Sequence, residues 1–247
     1  MYPILFQLGP ITVYTYGFFV FLGVLSAYFV CLSEAKRQGI DRNIFSNIFF
    51  WIIIFGFLGA KILYILIEFK YFLRSPLSMI RTGFVFYGGI ISGIIAGLFF
   101  TRRYKISFLK FSDIFSIGIP LAHAFGRLGC FSYGCCYGRP TNSFIGILFP
   151  KDSPAGVFGT KVIPTQLIEA FLLILVFFAL RFVNRRKKFD GQTFFIYIFT
   201  YSALRFVLEF FRGDPRGQIF FLSTSQVISL LLIIMTAVVW RKLKQSA

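Results

Sequence analysis

The chain has 247 residues, of which 57% are hydrophobic, 21% aromatic and only 14% charged. That apolar share exceeds what a soluble domain carries, and with the charges gathered between long apolar runs it predicts an all-α polytopic membrane protein. The formal net charge of +17 would suggest a nucleic-acid partner for a soluble protein, but most Lys and Arg fall in short loops and no basic patch is interleaved with aromatics; this argues against nucleic acid and fits orientation signals and anionic headgroups.

A short aromatic lead with Pro3 and Pro10 opens the chain, and residues 13–32 form the first predicted span, ended by the charged turn EAKRQGIDRN. No Lys or Arg precedes Lys36, so the N-terminal stretch reads as a span and not as a cleavable signal peptide, which would need a charged n-region. Residues 44–67 form the second span, interrupted by Gly56, Gly59 and Ala60 and carrying Lys61 and Tyr64. A segment with Lys70, Arg74 and Arg81 leads to the third, 84–100, where Gly89, Gly93 and Gly97 make a small-xxx-small ridge for close helix packing. The fourth, 111–133, contains Pro120, where a kink is expected. Residues 138–164, rich in Pro, Gly, Ser and Thr, form the longest segment outside the spans; 165–183, 193–211 and 225–240 complete about seven spans in a single integral membrane domain covering 1–247.

Loops after the odd-numbered spans carry more Lys and Arg than those after the even-numbered spans, so the positive-inside rule predicts the N-terminus outside and the C-terminus inside. With that topology Lys61 and Arg127 lie about 25 Å from the inner side at about 1.5 Å per helical residue. Tyr16, Tyr87, Gln166, Glu169 and Gln226 fall near the outer surface. A polar cavity opening to the outer leaflet is the arrangement that hydrates or pairs these groups. Such a one-sided cavity supplies no through-path, which disfavours a channel or carrier.

The chemistry concentrates in PLAHAFGRLGCFSYGCCYG. His123, Arg127 and Cys130 are spaced i, i+4, i+7 and share a helix face, with Gly126 and Gly129 beside them to admit a backbone or a headgroup. RFVLEFFRGDP repeats the spacing with Arg205, Glu209 and Arg212. Ionisable groups at membrane depth are functional candidates. Arg127 and Arg205 suit a phosphodiester because a planar guanidinium makes two charge-assisted hydrogen bonds. The alternative is that each pairs with an acid, Glu209 for Arg205, or snorkels. His123, the sole histidine, is either a proton acceptor or a structural donor beside Pro120. Cys130, Cys135 and Cys136 read as a redox relay, metal ligands or packing residues, and their spacing matches neither CxxC nor a paired zinc motif. Tyr16 and Tyr87 begin spans, where interfacial aromatics are expected.

These motifs, taken in order, resemble the bacterial phosphatidylglycerol-prolipoprotein diacylglyceryl transferase family over nearly the whole chain. YG at Tyr16 and Gly17 is similar to the first-span motif, FLGAKILY from Phe57 to the second-span glycine segment, and FYGG at Phe86 to Gly89 to the third-span HGG motif. GRLGCFSYGCCYGR from Gly126 to Arg139, PTQLIEA from Pro164 and LRFVLEFFR from Leu204 resemble the remaining signatures. The resemblance implies a multi-pass protein of the bacterial cytoplasmic (inner) membrane with its site facing the outer leaflet. Its partners would be phosphatidylglycerol and a prolipoprotein signal peptide bearing a lipobox cysteine, whose thiol attacks the glycerol carbon and releases glycerol phosphate.

Carried over by position, Arg127 and Arg205 would bind and polarise the phosphate and Glu209 would orient Arg205. Tyr16, Gly88, Gly89, Gly126, Cys130, Cys135, Gly138 and Arg212 would shape the substrate site. The scheme requires no metal and no organic cofactor. This chain departs from the family by having Tyr87 where HGG has histidine, and Cys130 and Cys135 where the signature has Asn and Glu. Tyrosine, with an ordinary pKa of about 10, is a weak base; His123, one turn from Arg127 on the same face, is the expected replacement. A phosphatidylglycerol-binding paralogue without transfer activity, and a thiol-disulfide enzyme resting on Cys135 and Cys136, are the competing readings.

Overall fold

The structure, a computed structural model, describes residues 3–9, 11–81, 83–214 and 217–246. It is mostly helical, and five helices are long and apolar enough to cross a membrane: α1 (Thr15–Arg37), α2 (Arg42–Ile67), α6 (Phe108–Tyr133), α7 (Thr165–Arg185) and α9 (Thr224–Ser246), the last over Thr224–Arg241. The other two predicted spans are also helices, α5 (Phe86–Arg103) and α8 (Gln192–Glu209). The aromatic lead is not a simple approach to the first span: β1 (Ile4–Leu8) and β2 (Ile11–Tyr14) pair as an antiparallel hairpin. Pro10, counted in that lead, lies outside the described residues. Two short helices, α3 (Phe69–Arg74) and α4 (Pro76–Arg81), occupy the basic segment before the third span.

Contacts gather the chain into two compact units, residues 32–111 and residues 1–31 with 112–247. In the first, α2 starts where the Asp41 carboxylate accepts from the backbone N–H groups of Asn43 and Ile44 at 2.8 and 3.2 Å, meeting donors that a helix N-terminus otherwise leaves unpaired. Helices α2 and α5 pack through their small residues. A Cβ at Gly88 would collide with the Gly59 carbonyl and Leu63, and one at Gly89 would sit 3.1 Å from the Gly56 carbonyl. The Ser92 hydroxyl donates across this seam to the Phe55 carbonyl at 2.8 Å. Backbone approach this close is what glycine permits in an apolar medium, where dispersion and short hydrogen bonds carry helix association. Lys61, expected among polar groups that are hydrated or paired, is engaged within its own unit. Its ammonium donates to the Met79 and Gly83 carbonyls at 3.1 and 2.8 Å and lies 4.2 Å from the centroid of the Phe84 ring, so it ties α2 to the short helices.

In the other unit α1 and α6 run antiparallel with glycine at three successive crossings. Gly129 meets Tyr16 and Phe19, Gly23 meets Ala122 and Phe125, and Gly118 meets Ala27 and Cys31. Helix α6 continues across Pro120. Its buried Asp113 accepts from the backbone N–H groups of Gly191 and Phe194 at 2.8 and 2.9 Å and from Lys187 at 2.8 Å, capping α8 from outside its own sequence. Residues 138–164 are not an open loop: Tyr137, Phe149, Ala155 and Val162 bury a small core, joined by Phe131 at the end of α6. Backbone bridges from Val162 to both Pro140 and Ile147 hold that segment together. Short strands β3 (Gln218–Ile219) and β4 (Leu222–Ser223) form a second hairpin before α9.

Candidate active site

His123, Arg127 and Cys130 share one face of α6, and α7 brings Glu169 against it. The fully buried Glu169 places Oε1 3.0 Å from Arg127 NH2 and 3.8 Å from His123 Nε2, while Oε2 is 3.9 Å from Arg212 NH1. Arg127 lacks an acid on its own stripe, and the neighbouring helix supplies one. One carboxylate on α7 thus faces a histidine and an arginine of α6 and a second arginine from the segment after α8. Spacing along the chain could not single out Glu169, because none of its partners is on its helix; its one available signal is an acid in an otherwise apolar span, within the PTQLIEA motif. The His123 ring also packs against Tyr201 of α8, with centroids 5.3 Å apart.

The second arginine is held as its i, i+4 spacing predicts: Arg205 NH2 is 2.6 Å from Glu209 Oε2, and it also donates to Ser225 of α9 at 3.4 Å. Arg212 corrects the expected stripe. Helix α8 ends at Glu209, so Arg212 is not its third member; it lies beyond the helix and pairs with Gly138 in an antiparallel bridge. Its Nε and NH2 fork onto Asp214 at 2.8 and 3.0 Å, the planar two-bond geometry that guanidinium and carboxylate favour. The helix stops where two loops must cross at backbone distance. A Cβ on Gly213 would come within 2.5 Å of the Gly138 carbonyl, and one on Gly138 within 2.6 Å of the Ile163 carbonyl. Gly138 therefore serves first as a crossing point, fixed by bonds from Gly138 N–H to Ile163 O and Arg139 N–H to Phe211 O, each 2.9 Å.

Tyr16 stands at the start of α1 beside Gly129, whereas a Cβ on Gly126 would meet nothing within 4 Å. Gly126 thus leaves open space one residue from Arg127. The Cys130, Cys135 and Cys136 sulfurs all lie within 4.8 Å of one another. The loop bearing the last two is pinned to α7, with Gln166 donating to Cys135 O at 2.6 Å and Thr165 to Cys136 O at 2.8 Å. Thiol hydrogen bonds from Cys130 and Cys135, helped by the Arg212 guanidinium, push the Cys136 thiol far below its ordinary range, while the same sharing, with burial, pushes Cys135 up. Tyr87, Gly88 and Gly89 belong to the other unit, in the first turn of α5. Tyr87 is exposed there, and the two glycines are used in packing against α2.

Among the described residues Arg127 Nε and Arg212 NH1 make no hydrogen bond, and neither do the Glu169 carboxylate oxygens, which Arg127 NH2 and Arg212 NH1 face as ion pairs at 3.0 and 3.9 Å. Buried polar groups are rarely left unmet, and a charged donor without an acceptor is costly. An incoming anion with several acceptor oxygens would meet the two guanidinium donors that Glu169 leaves without a hydrogen bond, and a phosphate ester matches the planar fork of an arginine.

A family model described as prolipoprotein diacylglyceryl transferase matches residues 3–241. A Clostridium tetani protein named phosphatidylglycerol–prolipoprotein diacylglyceryl transferase is 38% identical over 236 residues, covering 95% of this chain and 94% of its own. A second enzyme of that name from Clostridium perfringens is 39% identical over 237 residues, covering 94% and 91%. The corresponding Geobacter sulfurreducens protein is 35% identical over 224 residues, covering 88% and 84%. Likeness of this extent, running through every helix of the site, means that the chain belongs to the prolipoprotein diacylglyceryl transferase family.

Proposed function

We infer that this protein is a transferase that moves the diacylglyceryl group of phosphatidylglycerol onto the cysteine thiol of a prolipoprotein. Family membership over nearly the whole chain identifies the reaction. The observation that carries the reading to particular atoms is the pair of buried guanidinium groups with unmet donors around Glu169. The new bond joins the acceptor sulfur to the glycerol carbon; the bond that breaks joins that carbon to a phosphate oxygen, and glycerol phosphate leaves with the electron pair.

Negative charge gathers on the phosphate as that bond breaks, so donors aimed at it lower the barrier. Arg127 and Arg205 bind and polarise the phosphate in this reading. Glu209 orients Arg205, and Glu169 does the same for Arg127 from the neighbouring helix. Arg212, steadied by Asp214, adds a third positive group at the crossing of two loops. His123 takes the thiol proton, which an ordinary cysteine with a pKa near 8.5 mostly retains at neutral pH. Tyr16, Gly126, Cys130, Cys135 and Gly138 border the lipid, and Tyr87, Gly88 and Gly89 contribute as the third-span motif implies. The protein sits in the cytoplasmic membrane as one integral domain of seven spans, N-terminus outside, with the site open to the outer leaflet and to the lipobox segment of the acceptor.

The test is transfer of labelled diacylglycerol from phosphatidylglycerol to a lipobox peptide by purified protein, beside Arg127→Ala. Thioether product that disappears in the variant supports the reading. Phosphatidylglycerol bound without any product would replace it with the non-transferring paralogue.

A further inference from the structure

The transferase reading lines the lipid with Cys130 and Cys135 but gives none of the three thiols any chemistry. Cys130 lies in the last turn of α6, which ends at Tyr133, whereas Cys135 and Cys136 are adjacent in sequence, and in extended chain adjacent side chains point to opposite faces. Two left-handed residues undo this. Gly134 has φ +80° and Cys136 has φ +62°, the second being uncommon for a residue with a side chain and costing of order 1–3 kcal/mol where the surroundings enforce it. The chain therefore curls so that all three sulfurs converge within 4.8 Å. Gln166 and Thr165 hold the curl by the Cys135 and Cys136 carbonyls.

We propose that Cys130, Cys135 and Cys136 form a binding site for one zinc-class divalent cation, with three thiolate ligands and a fourth, open position that takes the thiol of the acceptor protein. Sulfur ligands around tetrahedral zinc stand about 3.8 Å apart at a Zn–S distance of about 2.3 Å, so the three sulfurs need to close by only about 1 Å. An all-sulfur donor set selects zinc over magnesium or calcium, which require oxygen. Closed structural zinc sites take four protein ligands, whereas sites that keep a position for water or substrate take three. Three thiolates around a dication carry one net negative charge, and the Arg212 guanidinium beside Cys136 offsets it.

The role of the fourth position rests on the transferase reading. The three cysteines would hold the cation, which would lower the pKa of an acceptor thiol at the open position; His123 or water would take the proton, and as the C–S bond forms the bond from the glycerol carbon to the phosphate oxygen breaks and glycerol phosphate leaves with the electron pair. This supplies thiolate in a chain whose HGG position holds Tyr87. The linear spacing that argues against a zinc motif is overridden by the two left-handed residues, which no spacing rule registers.

The experiment uses the full-length reduced protein in detergent, with zinc content measured after dialysis and Co2+ as the spectroscopic probe. One cation per chain, thiolate-to-cobalt charge-transfer bands, and a change in those bands on adding a lipobox peptide but not its Cys→Ser counterpart are expected. Cys135→Ser should weaken zinc by more than the ~10–100-fold that loss of a supporting group costs. Because such a variant can misfold, chelation of the wild-type protein is the second arm: transfer should fall and return with added zinc. Less than ~0.1 cation per chain against the one expected, thiols found as disulfide, or full transfer by zinc-free protein would each overturn the proposal. Cobalt bands unmoved by the cysteine peptide would overturn the open position. Metal bound with its peptide response but no transfer would sink the transferase reading and leave the site standing.

Discussion

Replacing Glu169 with Gln removes one charge and almost no volume, so it isolates what the shared carboxylate does. Arg127 lies 3.0 Å from it and Arg212 3.9 Å; at an effective dielectric constant near 20 the two attractions are of order ~5 and ~4 kcal/mol before desolvation is subtracted. Desolvation cancels much of the gain from forming a buried pair, but removing one partner leaves the other charge buried, and that costs about 3–5 kcal/mol. For a chain of 247 residues, a loss of that size lowers the melting temperature by about 6–20 °C at ~2–4 °C per kcal/mol. Thermal unfolding of the detergent-solubilised variant, followed by intrinsic fluorescence, measures the shift. Transfer assays well below the new midpoint should show kcat reduced more than KM rises, because Arg127 is then no longer aimed by its partner. A variant that melts with the wild type and transfers at the wild-type rate would refute Glu169 as the hub of the site.

The remaining predictions concern the arginines, the thiols and the glycines. Arg127→Ala and Arg205→Ala should each lower kcat/KM by about 10²–10³, the usual loss for one charge-stabilising donor, and Lys should restore little because it lacks the planar fork; near-complete rescue by Lys would reduce both to point charges. Cys136 is shifted down and Cys135 up, so thiolate at Cys136 persists to lower pH. In metal-stripped protein near pH 7 it should be alkylated first, and Arg212→Gln should move its reaction profile to higher pH; mass mapping that finds Cys135 modified first would contradict this. Gly126→Ala has open space whereas a Cβ on Gly129 lies 3.0 Å from the Tyr16 ring. The first should keep or raise the melting temperature, since Ala exceeds Gly in a helix by up to ~1 kcal/mol, yet raise KM for the lipid. The second should lose ~1–3 kcal/mol to overpacking. Unchanged KM in Gly126→Ala would remove that glycine from the lipid site.

Local pattern alone determined much of this protein. Apolar runs must bury their backbone polar groups as helices in lipid, so the helix positions were legible, as were the i, i+4 pairing of Arg205 with Glu209 and the common face of His123, Arg127 and Cys130. Glycine spacing announced a close helix contact on the third span, because only residues without a Cβ let backbones touch, but not that α2 is the partner or that Gly88 makes the tightest backbone approach. What needed the tertiary structure was every partnership between segments distant in sequence. Glu169 on α7 reaches Arg127 on α6, Asp113 caps α8 from α6, and Lys61 bonds one carbonyl within α4 and one just after it. The end of α8 before Arg212, and the convergence of three cysteines, were equally hidden. Each is set by where loops cross and by single backbone residues in the left-handed region, energies of contact and strain that arise only when the elements are packed together.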